Sequence, residues 1–247
     1  MYKAIEVLNM VSFFKTFQKI YELNVDKFCC NKFGLAEFIA MNIKKIKLVY
    51  GSKVLDVGCG VCPIGIFLAD QYNCNVIGVE LNRIAYDCGI LNVKHYGLES
   101  KISIINENFV TFSNTYEGEK FDIIVSNPPI DEFISPTLIN KYKNYDYEIL
   151  NDESFSYLTN SWHSQDGKDL LDYIFEFGYS NLKNDGCVYI VFCTIDCKSS
   201  SYVIDKGEKY GFCVSELFHG YIHPKSIGAH LVDKDKILTY FIKFVRR

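Results

Sequence analysis

The sequence predicts an α/β fold, in which a seven-stranded, mostly parallel sheet has helices on both faces and an antiparallel edge strand. Two observations predict it. Short apolar strands alternate with helical patterns along most of the chain, and one strand runs directly into a glycine turn and a helix. The strand and turn read K-V-L-D-V-G-C-G (53–60), and the helix begins with Pro63. This arrangement is typical of a Rossmann-like nucleotide-binding unit.

The 247 residues have an ordinary globular composition, 49% hydrophobic and 23% charged, with a formal net charge of -4. We expect one large domain, 51–247, preceded by a short helical cap, 1–50. No run of about 18 uncharged apolar residues occurs, and the first residues lack the features of a secretory signal, so we expect a cytoplasmic protein without a membrane span. The acidic balance argues against nucleic-acid binding by the whole surface, and leaves open local basic patches at 44–47 and 243–247. The oligomeric state is not predicted.

Apolar spacing assigns the elements in order. Steps of three or four predict two N-terminal helices, the first through Val7, Leu8, Val11, Phe14, Phe17, Ile20 and Tyr21 and the second through Leu35, Phe38, Ile39, Ile43 and Ile46. Strands are predicted from 53 and at 75–80, 101–105, 121–126, 187–193, 212–218 and 237–245, with helices from 63 and at 83–96, 170–179 and 203–210. The last two strands follow each other without a helix, which predicts an antiparallel edge. The aperiodic stretch 131–165 is predicted to be an insert or lid.

The chain has ten cysteines, which we expect to be free buried thiols. Cys59 and Cys62 form a C-x-x-C pair, but no second pair or nearby C-x-x-H completes a tetrahedral site. The pair also lies inside the glycine turn, where small side chains are needed. His219, His223 and His230 lack a known zinc spacing and are assigned to loop packing. We therefore predict no metal site.

The glycine turn indicates the class of ligand. A dinucleotide site would need a third glycine after the turn, and a P-loop would need G-x-x-x-x-G-K-[ST]; neither is present, which argues against a Rossmann oxidoreductase and a P-loop ATPase. A ligand with a ribose and a charged tail but no phosphate fits, and S-adenosylmethionine is such a ligand. We expect its amino-acid tail over Gly58, Cys59 and Gly60, close to Asp56. Its ribose hydroxyls are expected to bind Glu80, about 20 residues past the turn.

The segment N-P-P-I follows the predicted strand 121–126 and is the more specific signal. Its prolines make a rigid loop at the carboxyl end of that strand. Such a loop can aim the Asn127 side chain and a backbone carbonyl at an amide or exocyclic amine, which aligns the nitrogen lone pair with a methyl group and stabilises the developing positive charge. We predict that Asn127, Pro128, Pro129 and Ile130 bind the methyl acceptor, with Asn127 also near the cofactor.

These motifs resemble class I S-adenosylmethionine-dependent N-methyltransferases with an [N/D]-P-P motif. The resemblance covers about residues 50–195 through V-L-D-V-G-C-G, G-V-E, F-D-I-I-V-S-N-P-P and N-L-K-N-D-G-C-V-Y-I-V. The most similar group is the release-factor glutamine N5-methyltransferases (HemK-like) among small-domain methyltransferases. The resemblance implies adenine and ribose contacts near Glu80 and Asn108, with Leu81 and Phe109 beside them, and S-adenosylhomocysteine as the product.

Three features depart from the family pattern. Ile130 replaces an aromatic residue, and Cys62 replaces a glycine. The N-terminal region is shorter than the substrate domain of the release-factor enzymes. The acceptor stays open between a protein or peptide, a small molecule and an RNA base, since some guanine-N2 rRNA methyltransferases also carry N-P-P-I. Trp162 and His163 either line an acceptor pocket or anchor the lid. A non-catalytic methyltransferase-like subunit is the second hypothesis, and the retention of both motifs argues against it.

Overall fold

The computed structural model describes residues 10–26, 33–43, 50–128, 168–193, 200–223 and 236–247. Its strands are β1 (Met10–Lys15), β2 (Ile20–Val25), β3 (Lys53–Val57), β4 (Asn75–Glu80), β5 (Ile102–Asn106), β6 (Phe121–Ser126), β7 (Leu182–Cys193), β8 (Phe212–Ile222) and β9 (Ile237–Arg246). Its helices are α1 (Gly34–Asn42), α2 (Pro63–Tyr72), α3 (Arg83–His95), α4 (Phe109–Thr115), α5 (Leu170–Asn181) and α6 (Ser200–Lys209). Within these ranges, no helix combines the length and the apolar character needed to cross a bilayer.

A seven-stranded sheet with the order β5-β4-β3-β6-β7-β9-β8 forms the centre of the fold, as predicted. Strands β3 to β7 pair in parallel. The chain moves outward from β3 through β4 to β5 and then returns to place β6 on the other side of β3. This reversal is a topological switch point, where open α/β sheets bind ligands beyond the carboxyl ends of their strands.

The predicted antiparallel edge is confirmed. Strand β9 pairs antiparallel with both β7 and β8, and β8 forms the edge of the sheet. Antiparallel neighbours can pair without a crossover helix between them.

Helices cover both faces of the sheet, because side chains alternate between its two sides along each strand. Val54 packs with α1, α2 and α3 on one face, and the next residue, Leu55, packs with α4, α5 and α6 on the other. Both side chains are fully buried. Near-continuous apolar strands such as this one are typical of a parallel sheet that is buried on both sides.

The first predicted N-terminal helix is wrong from Val11 onward, because β1 and β2 form an antiparallel hairpin. The second predicted helix is confirmed as α1. Val7 and Leu8 of the first helix and Ile46 of the second lie outside the described residues. The spacing of three and four arose by chance from two strands whose inward residues alternate, such as Tyr21, Leu23 and Val25. The turn contains neither glycine nor proline. Instead the Thr16 hydroxyl accepts a hydrogen bond from the Lys19 backbone N–H (3.0 Å), a local bond that favours a turn over a helix.

Two other segments have features that the apolar spacing does not predict. Helix α4 begins at Phe109 because the Asn108 side chain caps its N-terminus. Strand β7 contains a bulge at 183–186, in the stretch opposite Asp122 of β6. The predicted insert, 131–165, lies outside the described residues, and the division into a cap and a main domain stays a prediction.

Candidate active site

A glycine loop, residues 58–62, connects β3 to α2 at the carboxyl end of the sheet. Gly58 and Gly60 have φ angles of +72° and +57°, which residues other than glycine rarely adopt. The backbone N–H groups of Gly58 and Cys59 donate to the Val79 carbonyl at 2.9 and 3.2 Å, which ties the loop to β4. A Cβ atom added at Gly58 or Gly60 would meet no described atom within 4 Å beyond the adjoining residues. The loop therefore presents bare backbone to a ligand.

The two cysteines of the glycine loop are packing residues. Cys62 is buried and has a left-handed backbone (φ 68°), and its Sγ atom lies 2.6 Å from where a Cβ of Gly65 would be. In the same way, Cys59 Sγ lies 2.7 Å from a Cβ position at Gly78. The neighbouring Cys62 thiol and burial raise the pKa of Cys59 well above its usual range. The C-x-x-C spacing thus reflects two side chains that pack against glycines, Cys62 against Gly65 and Cys59 against Gly78.

Glu80, at the end of β4, holds the glycine loop from the side. Its Oε2 atom accepts from the Gly60 backbone N–H and its Oε1 atom from the Asn82 backbone N–H, both at 2.7 Å. Burial raises the pKa of Glu80, and these N–H groups counteract the rise. Behind it, the Asn106 side chain donates to the carbonyls of Glu80 (2.8 Å) and Leu81 (3.1 Å). The carboxylate is thus fixed in place at the rim of the loop.

Asp56, in β3, lies under the same loop and is 1% exposed. Its Oδ2 atom is buried and has no hydrogen-bond partner among the described residues. Burial raises the pKa of Asp56 to about 7, and the charge of Glu80 adds to the rise, while the Gly65 backbone N–H counteracts it. A buried carboxylate oxygen without a partner is costly. Its position suits a ligand that brings a cation.

The acceptor segment begins at the carboxyl end of β6, next to β3. The Ser126 hydroxyl is buried and donates to the Val57 carbonyl at 2.8 Å, which fixes the end of β6 against β3. Asn127 follows and is exposed, and Pro128 is buried. The remaining members of the predicted segment, 129–130, lie outside the described residues. The switch point of the sheet therefore brings Asn127 close to the strand that carries Asp56.

Comparison with known proteins identifies this region. Residues 34–140 match the methyltransferase small domain. The match includes the glycine loop, Glu80 and the N-P-P-I segment, and confirms the resemblance inferred from the sequence.

Relatives of the methyltransferase small domain act on different acceptors. The chain is 37% identical over 84 residues to the tRNA1(Val) (adenine(37)-N6)-methyltransferase of Mannheimia succiniciproducens, covering 33% of this chain and 34% of that protein. It is 29% identical over 106 residues to the release factor glutamine methyltransferase of Clostridium botulinum, covering 42% of this chain and 37% of that protein. The chain thus spans about a third of the length of these curated relatives.

The fold extends beyond the matched region. The structure of M. jannaschii TYW2 in complex with AdoMet is similar over 99% of this chain and 90% of that chain, with a TM-score of 0.54 and 17% sequence identity. At that identity the likeness shows the shared fold.

Two residues expected near the adenine make contacts within the fold itself. The Asn108 side-chain oxygen accepts from the Val110 backbone N–H at 2.9 Å, and the residue is exposed. Phe109 is buried and lies edge-on to Phe177, with the ring centroids 5.7 Å apart. A contact of Asn108, Phe109 or Leu81 with the cofactor stays a prediction.

Sequence reasoning missed the polar residues that brace the site. Ser126 and Asn106 each end an apolar strand, and Asn82 caps α3 by accepting from the Ile84 backbone N–H at 2.9 Å. The signal was available, because a polar residue at the carboxyl end of a buried strand must find a hydrogen-bond partner. Asn92 lies within α3, near its C-terminal end, and no local sequence feature marks it as a bracing residue.

The remaining candidates are accounted for where the structure describes them. His219 does not lie in a loop as predicted: it is an exposed residue of β8, paired with Tyr240 of β9, with the two rings 6.4 Å apart. Of the C-terminal charges, Lys243 pairs with Glu216 (2.9 Å). Arg246 donates to the Tyr179 carbonyl of α5 at 3.1 Å. Arg247 donates to the Glu208 carboxylate of α6 at 2.9 Å. Residues 44–47, Trp162, His163 and His230 lie outside the described residues.

Proposed function

We propose that the chain is an S-adenosylmethionine-dependent methyltransferase that transfers a methyl group to an amide or exocyclic amine nitrogen. The observation that carries the proposal is the buried Asp56 Oδ2 atom without a partner, beneath a bare glycine loop whose rim is the Glu80 carboxylate. The match of residues 34–140 to the methyltransferase small domain supports it.

The donor groups at this site fit S-adenosylmethionine. Asp56 offers a buried anion to the ammonium group of the amino-acid tail. The bare backbone at Gly58 and Gly60 leaves room for that tail. Glu80 accepts backbone hydrogen bonds from Gly60 and Asn82, and the Leu81 N–H also interacts with it. A carboxylate has about four acceptor positions, so Glu80 retains capacity for a ribose hydroxyl. When bound, the cofactor supplies an electrophilic methyl group on a sulfonium.

The residues of the chain position the acceptor. Ser126 fixes the end of β6, and Asn127 extends from it into solvent at the switch point. The Asn127 side-chain oxygen and the Pro128 carbonyl accept the two hydrogens of a planar nitrogen group. Its lone pair then points along the line of displacement, and both oxygens stabilise the positive charge that develops on the nitrogen.

The exocyclic amine of a tRNA adenine is the first acceptor to test, because a relative 37% identical over 84 residues carries that activity in its name. A glutamine amide is the second, because of the release factor relative. Purified protein with methyl-labelled S-adenosylmethionine is offered total tRNA in one reaction and glutamine-containing peptides in another. We expect label in one of them and its loss in Asn127→Ala. Equal labelling by wild type and Asn127→Ala would contradict the assigned role.

A further inference from the structure

Helix α3 packs against the glycine loop, and a buried asparagine lies at their contact. A Cβ atom at Gly89 of α3 would be 2.9 Å from Ile104 Cδ1 and 3.4 Å from the Gly60 carbonyl oxygen, so α3 and the loop are within van der Waals contact. Asn92, one turn further along α3, is fully buried. Its Nδ2 atom donates to the Val61 carbonyl of the glycine loop at 3.0 Å.

The same amide also binds the N-terminal hairpin. Asn92 Oδ1 accepts from the backbone N–H of Asn24 in β2 (2.6 Å) and from its side-chain Nδ2 (3.0 Å), and Asn92 Nδ2 donates to the Asn24 carbonyl (3.0 Å). All four hydrogen-bonding positions of the amide are therefore used. A flipped amide would turn its oxygen towards the carbonyls of Asn24 and Val61, so the partners fix its orientation.

The hydrogen bond from Asn92 restrains the glycine loop because Val61 lies in the middle of it. The preceding Gly60 N–H is held by Glu80 at 2.7 Å, and the following Cys62 has a left-handed backbone. Glycine-rich segments sample many conformations, and ordering them on binding weakens affinity. The Asn92 bond to the Val61 carbonyl adds a second restraint to that of Glu80, so the loop is restricted before the ligand binds.

We propose that Asn92 is a positioning residue for cofactor binding, through which the N-terminal hairpin holds the glycine loop in its binding conformation. The inference rests on the proposed function, since it takes the loop as the site of the cofactor's amino-acid tail. The hairpin is then part of the cofactor site without touching the ligand.

The chain offers a matched control at the other end of the same contact. The Tyr96 hydroxyl accepts from the Glu22 backbone N–H (2.7 Å) and donates to the Glu22 carbonyl (3.0 Å). Tyr96→Phe thus removes hydrogen bonds between the hairpin and α3, and leaves the bond to Val61 in place. Asn92→Asp is nearly isosteric, but it replaces the donor with an oxygen that faces two carbonyls.

The test is calorimetric titration with S-adenosylhomocysteine, together with hydrogen exchange of the 58–62 amides and thermal unfolding. We expect Asn92→Asp to bind about tenfold more weakly or worse and its loop amides to exchange faster, while Tyr96→Phe binds within about twofold of wild type, the resolution of the comparison. Wild-type affinity in folded Asn92→Asp, or equal weakening in both variants, would overturn the inference.

A second variant tests the inference if Asn92→Asp does not fold. Asn24→Ala removes one of the four hydrogen bonds of the Asn92 amide, the one from Asn24 Nδ2. A loss of about threefold in affinity for S-adenosylhomocysteine supports the inference, and an unchanged affinity overturns it. If wild type itself does not bind S-adenosylhomocysteine, the proposed function fails. The hydrogen exchange of the 58–62 amides then still tests whether Asn92 holds the loop. Unchanged exchange in Asn92→Asp or Asn24→Ala would overturn this role, and faster exchange would support it.

Discussion

Asp56 and Glu80 lie on neighbouring parallel strands beneath one glycine loop, and the charge of Glu80 helps to raise the pKa of Asp56 to about 7. Glu80 is braced by two backbone N–H groups, whereas Asp56 keeps a buried oxygen without a partner among the described residues. Two carboxylates in unlike surroundings thus have unlike roles: one holds the loop, and the other is suited to a cation.

Asp56 is expected to make stability depend on pH. Its pKa of about 7 in the folded chain exceeds the unfolded value of about 3.9, so the stabilisation is fully present below pH 4 and is lost as the pH rises through 7. Relative to wild type, Asp56→Asn should therefore gain stability from pH 5 to pH 8, on the order of 2 kcal/mol. Urea unfolding at both pH values measures the difference.

A matched control for this experiment is Asp87→Asn, since Asp87 is exposed and pairs with Arg83 on α3. Its difference from wild type should be the same at pH 5 and pH 8. A stability difference for Asp56→Asn that does not change with pH would show that Asp56 is charged throughout.

Cofactor affinity should follow the same titration in the opposite direction. An ammonium group binds the charged form of Asp56, so the affinity for S-adenosylhomocysteine should increase as the pH rises towards 7, by at most about tenfold per pH unit for one proton. Asp56→Asn should bind weakly with a flatter profile. Parallel profiles for the two proteins would exclude Asp56 as the partner of the ammonium.

Gly78→Ala should disturb the glycine loop from below. The new methyl group would lie 2.7 Å from Cys59 Sγ and 3.2 Å from Cys59 Cβ, so Cys59 must move; we expect a loss of about 1–3 kcal/mol in unfolding free energy and weaker cofactor binding. The double variant with Cys59→Ala should recover most of the stability, because the sulfur is removed. A double variant as unstable as Gly78→Ala would argue against this contact.

Ser126→Ala should separate acceptor positioning from cofactor binding. The variant loses the buried bond to the Val57 carbonyl, which costs about 1–2 kcal/mol and frees the end of the strand before Asn127. We expect a lower kcat and an unchanged KM for the cofactor. Ser113→Ala, which loses a bond of the same 2.8 Å length to Val110 within α4, should leave kcat unaltered; equal effects in both variants would contradict the role of Ser126.

The sheet and its ligand edge could be predicted because their signals are local. The apolar run before Gly58 requires a buried strand, and the glycines require a turn with positive φ, as found. The antiparallel pair could be predicted from a missing crossover helix. The hairpin could not, because the Thr16 turn uses a side-chain bond in place of glycine or proline, and the apolar spacing of the two strands imitates a helix.

The site was predicted where strand ends are visible in the sequence and missed where contacts join distant segments. Asp56, Glu80 and Asn127 follow from their positions along β3, β4 and β6. Asn92 lies 68 residues from Asn24 and 31 from Val61, and pairing over such separations is decided by the packing of α3. Nothing in the local pattern distinguishes it from a surface asparagine.

Calorimetric titration with S-adenosylhomocysteine is the decisive test of the cofactor site, with wild type, Glu80→Ala and Asn127→Ala measured side by side. We expect binding by wild type, loss of binding in Glu80→Ala, and binding largely kept in Asn127→Ala, because Asn127 serves the acceptor. Absence of binding in wild type, or wild-type affinity in Glu80→Ala, would contradict the cofactor site described here.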